Sequence, residues 1–246
     1  MSAAATEAAV HVERHGGLAV VTLNRPAKLN ALSSTLEQAL LDALATPEVS
    51  GADAIVFTGE GRAFCAGADV SEVTSLDAEA IAAYYRGSGR VYEAVAALGT
   101  PTVSAIHGYC LGGGLELALA TDIRIADDTA VFGLPEVDLG IVPSSGGLTR
   151  LVRMLGTARA RELILLGSKV DAGTAHRLGL LTEVVPTGET RERALAVADT
   201  LAGKPALAVA VAKQAIDAVA ESSNAAALLI ERLAYGMLNQ TGAASR

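Results

Sequence analysis

The chain has 246 residues, 51% hydrophobic and 19% charged, with a formal net charge of −8. That is enough chain for one large core, or one domain with a small appendage, and its four scattered lysines (Lys28, Lys169, Lys204, Lys213) argue against a nucleic-acid partner. No apolar run reaches the roughly 18 residues a membrane span needs, and the opening "MSAAATEAAVHVERHGG" carries acids where a secretory signal would not, so we expect no membrane partner and a cytoplasmic location.

In chain order, "LAVVTL" (18–23), "AIVFTG" (54–59) and "TVSAIHG" (102–108) are β-branched runs near glycine or proline and predict strands. "TLEQALLDALA" (35–45) and "DAEAIAAYYRGSGRVYEAVAAL" (77–98) have helical spacing, the second opening at an Asp77 cap and interrupted by Gly87 and Gly89. Strand and helix alternate, which makes the core α/β. "DIRIADDTAVFG" predicts two short strands about a turn at Asp127 and Asp128, and from "LTRLVRMLG" onward the chain is mostly helical. Near the end, two amphipathic helices flank the "ESSN" break and predict a helical layer that docks on the core or on a neighbouring subunit.

The glycine clusters fail the familiar nucleotide spacings. "GEGRAFCAGAD" lacks the Gly-Lys-Ser/Thr ending of a P-loop, "GGGLEL" has Leu117 where a dinucleotide fingerprint needs glycine, and Ser144 and Ser145 follow Val142 and Pro143 rather than a nucleophile elbow. Two places remain where backbone N–H groups are free to face a ligand. One is "FCAGADV" (64–70), small residues after a strand. The other is "LGGGLE", where glycines open a helix whose first-turn amides are unpaired donors. Two such donors aimed at one point form an oxyanion hole.

Beside them stand two carboxylates in apolar stretches, Glu116 in "CLGGGLELALATD" and Glu136 in "VFGLPEVDLGIVP". A buried carboxylate costs several kcal/mol unless it is paired, hydrogen-bonded or protonated. Each has a structural reading: Glu116 in an ion pair to an arginine such as Arg150, Glu136 as a loop acid with a surface partner. The chemical reading is a pair around one water, one acid ionised as base and the other protonated, because close like charges push their pKa values apart. His11, His15 and His176 read as solvated. His107 reads as a candidate for a supporting hydrogen bond near the glycine run, and Cys65 and Cys110 as small buried side chains. No spacing suggests a metal site.

At these residues the sequence resembles the crotonase superfamily, more closely its enoyl-CoA hydratase family. The matching words are "VTLNRPAKLNAL", "GEGRAFCAGADV", "GYCLGGGLELALATDIRIA", "FGLPEVDLGIVPSSGGLTRLVRMLG" and "ARELILLGSKVDAGTAHRLGLLTEVV", in family order over roughly four-fifths of the chain. The resemblance implies a crotonase-like spiral of ββα units over residues 1–190 and a C-terminal helical trimerisation region over 191–246. It implies a homotrimer or dimer of trimers acting on an acyl-CoA, with coenzyme A entering as part of the substrate and no further cofactor. It also implies that Ala66 and Gly113 donate N–H groups to the thioester oxygen, that Glu116 acts as base and Glu136 as acid, and that Ala27, Lys28, Leu29, Ala66, Gly67, Ala68 and Asp69 contact the coenzyme. The implied reaction is reversible hydration of a 2-enoyl-CoA. The alternatives are an isomerase or other crotonase-type enzyme, or a non-catalytic acyl-CoA binder. The family usually continues past "LNQT" with a further helix and basic tail, whereas this chain stops at "GAASR".

Overall fold

The computed structural model describes residues 8–73 and 89–240. β1 (Val10–His15) and β2 (Leu18–Leu23) pair antiparallel across a turn at Gly16, whose φ of +62° suits glycine. After α1 (Ser34–Ala45) and the single turn α2 (Pro47–Ser50), the chain repeats one pattern three times: a long strand, a short strand, then a helix. The first unit is β3 (Ala54–Gly59), β4 (Ala63–Cys65) and α3 (Val70–Val73), with α4 (Arg90–Ala96) before the next. The second is β5 (Thr102–Ile106), β6 (Tyr109–Leu111) and α5 (Gly113–Ala120). The third is β7 (Ile123–Asp127), β8 (Val131–Gly133) and α6 (Gly147–Leu165), the last kinked at Gly156.

The long strands join β2 in a six-stranded sheet ordered β1-β2-β3-β5-β7-β10, parallel from β2 onward, with β10 (Glu183–Val185) at its far edge. The short strands form a second sheet, β4-β6-β8-β9, closed by the antiparallel β9 (Val170–Asp171). This is the spiral of ββα units. The expected strand over 102–108 breaks where the chain leaves one sheet for the other. Gly108 turns that corner at φ +55°, so close to the preceding unit that a Cβ there would stand 2.1 Å from the Arg62 carbonyl oxygen. A continuous β-branched run hid the corner from the sequence.

β2 and β3 are buried along their whole length, as parallel strands covered on both faces are, which is why they read as unbroken apolar runs. Alternate residues serve two cores. Ala19, Val21, Leu23, Ile55 and Phe57 face α1, α4 and α5 through Leu36, Leu40, Val91, Val95, Leu115 and Leu119. Leu18, Val20, Ala54 and Val56 face the opposite way, with Val103, Ala105 and Ile125, against Ala194 and Ala198 of α8 (Thr190–Ala202).

The helical C-terminal region therefore divides differently from the expected boundary at 190. α8 belongs to the spiral core because it covers one face of the large sheet. Only α9 (Ala206–Ala220) and α10 (Asn224–Gln240) form a separate hairpin, and neither contains a buried residue. Its ties to the core include Lys213 Nζ, which donates to the Thr100 carbonyl and pairs with Asp122, and the Arg153–Glu221 ion pair. Most of the expected helix over 77–98 lies outside the described residues. Among the described residues no single helix is long and apolar enough to cross a membrane.

Candidate active site

The second ββα unit builds the centre of the site. β6 ends at Leu111, Gly112 turns the chain at φ +50°, and α5 begins at Gly113 with every residue buried. Gly114 lies against β4, where a Cβ would meet the Cys65 carbonyl at 2.2 Å, so the glycine run lets the helix start close to the loop after β4. Glu116 stands in the first turn of α5, 4% exposed. Its Oε1 accepts from the backbone N–H of Ser145 (2.8 Å) and of Gly147 (2.9 Å), at the start of α6. Arg150 does not pair with it. That guanidinium donates to the Ser145 carbonyl and pairs with Glu93, and so braces the loop that holds the glutamate.

Glu136 opens the single 3₁₀ turn 136–139 after Pro135. Its Oε2 is buried and has no hydrogen-bond partner among the described residues. Burial pushes the carboxyl up to about 7, and the charge of Glu116 adds to the effect against a bond from its own backbone N–H. Burial also raises Glu116, but there the Gly147 and Ser145 amides and the Arg150 charge favour the anion. The two carboxyls thus share one cavity of about 300 Å³ with unequal surroundings. One is gripped by donors and the other has a buried oxygen with none among the described residues.

The walls of that cavity include Ala66, Gly67, Ala68, Gly112 and Gly113, which brings together both loops singled out in the sequence. The expected role of Ala66 is not borne by its geometry: its N–H donates to the Leu29 carbonyl at 3.0 Å, and so it is committed to a neighbouring loop. The amide facing Gly113 is that of Ala68, whose nitrogen lies 3.7 Å from where a Gly113 Cβ would be. Gly67, at φ +108°, sets that amide's direction, and the flanking Leu32 N–H to Gly67 carbonyl and Asp69 N–H to Leu32 carbonyl bonds fix the loop.

The other expected coenzyme contacts fall into two groups. Ala27 and Lys28, exposed, and Leu29, half-buried, form a turn joined to the cavity wall through the Leu29–Ala66 bond. Asp69 does not face a ligand: its carboxylate pairs with Arg25 at 3.1 Å and accepts from the Ser71 hydroxyl, and its N–H is spent on Leu32. It joins two loops instead. His107 binds the Gly61 carbonyl at the surface, Cys65 and Cys110 are buried free thiols, and His176 lies on α7 (Ala172–Leu178).

Sequence reasoning missed Glu37 of α1 and Tyr92 of α4, which also line the cavity, and the apolar rim of Val70, Leu139, Ile141 and Val142. Their own neighbours in the chain are ordinary helix and loop sequence. Only the tertiary approach of α1 and α4 to α5 brings them in.

Comparison with known proteins gives the chain's family. The enoyl-CoA hydratase/isomerase family model matches residues 13–244. The protein named "Probable enoyl-CoA hydratase echA8" of Mycobacterium tuberculosis is 42% identical, covering 90% of this chain and 86% of that one. A short-chain-enoyl-CoA hydratase of Clostridium acetobutylicum is 37% identical over 92% and 88%. The solved enoyl-CoA hydratase of Thermoplasma volcanium superposes with a TM-score of 0.89 at 32% identity, covering 95% and 93% of the two chains. With the family model matched over most of the chain and the spiral shared with a solved relative, the chain belongs to the enoyl-CoA hydratase/isomerase family and has the crotonase fold.

Proposed function

We propose that this protein, an enzyme of the enoyl-CoA hydratase class, adds water reversibly across the C2=C3 bond of a 2-enoyl-CoA to give the 3-hydroxyacyl-CoA. The observation that carries this reading is the buried, unpartnered Oε2 of Glu136 in the cavity that also holds the amide-gripped Glu116. A buried acceptor without a donor is costly, and a water or a reacting carbon with a proton to exchange supplies what the fold leaves out.

In this reading the Ala68 and Gly113 N–H groups hold the thioester oxygen as negative charge develops there. Glu116, stabilised as an anion by two amides, takes a proton from the water as its oxygen bonds to C3. Glu136, kept protonated by burial, gives a proton to C2. One proton is taken up and one delivered, and the pair is reset when the proton held by Glu116 passes to Glu136. The turn 27–29 with Gly67 and Ala68 offers backbone to the coenzyme portion, which the substrate itself brings, and no separate cofactor is needed. Loss of the enoyl absorbance of crotonyl-CoA tests the reading. Failure to lose it at every chain length, with double-bond migration in a 3-enoyl thioester, would favour the isomerase alternative, which needs Glu136 alone.

For assembly we propose a trimer or dimer of trimers. Leu228, Leu229, Leu233, Tyr235 and Met237 of α10 are 44–72% exposed in the single chain, and Ile216 of α9 is 68% exposed. Burial against neighbouring subunits is worth roughly 25 cal/mol per Å² of apolar surface.

A further inference from the structure

Glu37 is a third carboxyl on the wall of the cavity that holds Glu116 and Glu136, and the hydration chemistry gives it no task. It sits in the first turns of α1, whose start is fixed twice: Ser33 Oγ accepts from the Leu36 N–H, and Glu72 Oε2 accepts from the Ser34 N–H. Leu36 and Leu40, fully buried on either side of it, leave the helix no freedom to turn that carboxyl away. The Glu37 side chain is half-buried and makes no hydrogen bond or ion pair among the described residues. The charges acting on it are those of Glu72 and Glu116, both acidic, and together with burial they push it up to about 7.

A carboxyl held half-buried against like charges, without a cation or a donor among the described residues, works against stability. What completes it is an atom of the ligand, because the group lines the cavity. The rest of that wall, Val70 and Tyr92 with Leu139, Ile141 and Val142 at the rim, is suited to an acyl chain.

Resting on the proposed acyl-thioester reading, we propose that Glu37 is a specificity-determining residue, which selects acyl chains carrying a hydroxyl group beyond the reacting double bond. The hydroxyl donates to the Glu37 carboxyl. An unsubstituted alkyl chain leaves that carboxyl desolvated and unpaired, and a carboxylate-ended chain adds another negative charge to three acids. A site built to bind a hydroxyl discriminates strongly against the analogue lacking it, since its own polar group is then left without a partner.

Calorimetric titration with matched saturated thioesters, hydroxylated at successive carbons from C4 and unsubstituted, tests this without requiring turnover. Wild-type protein is expected to bind at least one hydroxylated ligand about tenfold more tightly than its unsubstituted match, and the carboxylate-ended ligand most weakly. Glu37→Leu is expected to bind the unsubstituted ligand more tightly than its hydroxylated match, and Glu37→Gln, which keeps size and polarity, to bind the carboxylate-ended ligand better than wild type. Equal preference in wild type and both variants, or no binding of any of the thioesters, would overturn the proposal. Turnover of crotonyl-CoA by wild-type protein is a separate readout: its absence counts against hydration, whereas the ratio of affinities judges Glu37.

Discussion

The backbone N–H of Gly147 donates to Glu116 Oε1 at 2.9 Å, so the first turn of one helix fixes the carboxyl of another helix 31 residues earlier. The approach is so close that a Cβ on residue 147 would stand 2.5 Å from Glu116 Cγ. Gly147→Ala is therefore expected to displace the carboxyl while leaving the distant coenzyme turn in place. Steady-state kinetics should show kcat lowered by about tenfold to a hundredfold with KM changed far less, since small misplacements of a reacting group are costly. An unchanged kcat would show that Glu116 needs no such positioning.

Replacing either acid separates chemistry from fold. Glutamine at 116 still offers an oxygen to the Ser145 and Gly147 amides, and Glu136→Gln removes only a proton donor. Each variant should lose at least about a hundredfold in turnover, the usual scale for general acid or base catalysis, while keeping its circular dichroism and saturated acyl-CoA binding. A variant that kept near wild-type turnover would show its glutamate to be structural.

The raised Glu136 sets a pH dependence with a definite sign. Its carboxyl is pushed up from the ordinary 4.5 to about 7, so the folded protein holds this proton more tightly than the unfolded chain does. The stability this contributes is full below about pH 4.5 and is lost as pH rises through about 7. Glu136→Gln should thus gain on wild type at pH 8 relative to pH 4.5, by about 1 kcal/mol after solvent screening of a half-buried group, as read from urea midpoints. Hydration by wild-type protein should also fall along a limb near pH 7, as the proton needed at C2 is lost. A flat rate profile from pH 6 to 9 would contradict the acid role.

Gly114→Ala should break the spiral rather than the chemistry. Its Cβ would stand 2.2 Å from the Cys65 carbonyl oxygen, a backbone atom that cannot move without shifting β4. We expect a loss of about 1–3 kcal/mol or more, the range for overpacking a core, measured by denaturant unfolding. Stability equal to wild type would mean that α5 slides freely on β4.

The exposed leucines of α10 make assembly testable at a single position. Leu229, 56% exposed, and Leu233, 63% exposed, each replaced by Glu, should lower the mass seen by light scattering after size exclusion. Wild-type protein should run as a trimer or a dimer of trimers. A monomeric wild-type mass at micromolar concentration would reject the assembly.

Much of this protein is legible in its sequence, for local reasons. The apolar runs 18–23 and 54–59 became strands because a parallel strand covered on both faces has no polar side to show. Glu116 and Glu136 stood out because a carboxylate in an apolar stretch demands an explanation, and both line the cavity. The glycines marked the loops because only they permit the φ values at Gly67 and Gly112. Tertiary structure decided what depends on partners distant in the chain. Which amide of "CAGAD" remains free was settled by Leu29, which takes the N–H of Ala66 and leaves that of Ala68 facing Gly113. Asp69 was withdrawn from the ligand side by Arg25, α8 was drawn into the core by the second face of the large sheet, and Glu37 was brought beside Glu116 by the packing of α1. A residue's type fixes which bonds it can make, but whether they are already made depends on neighbours that only the fold assembles.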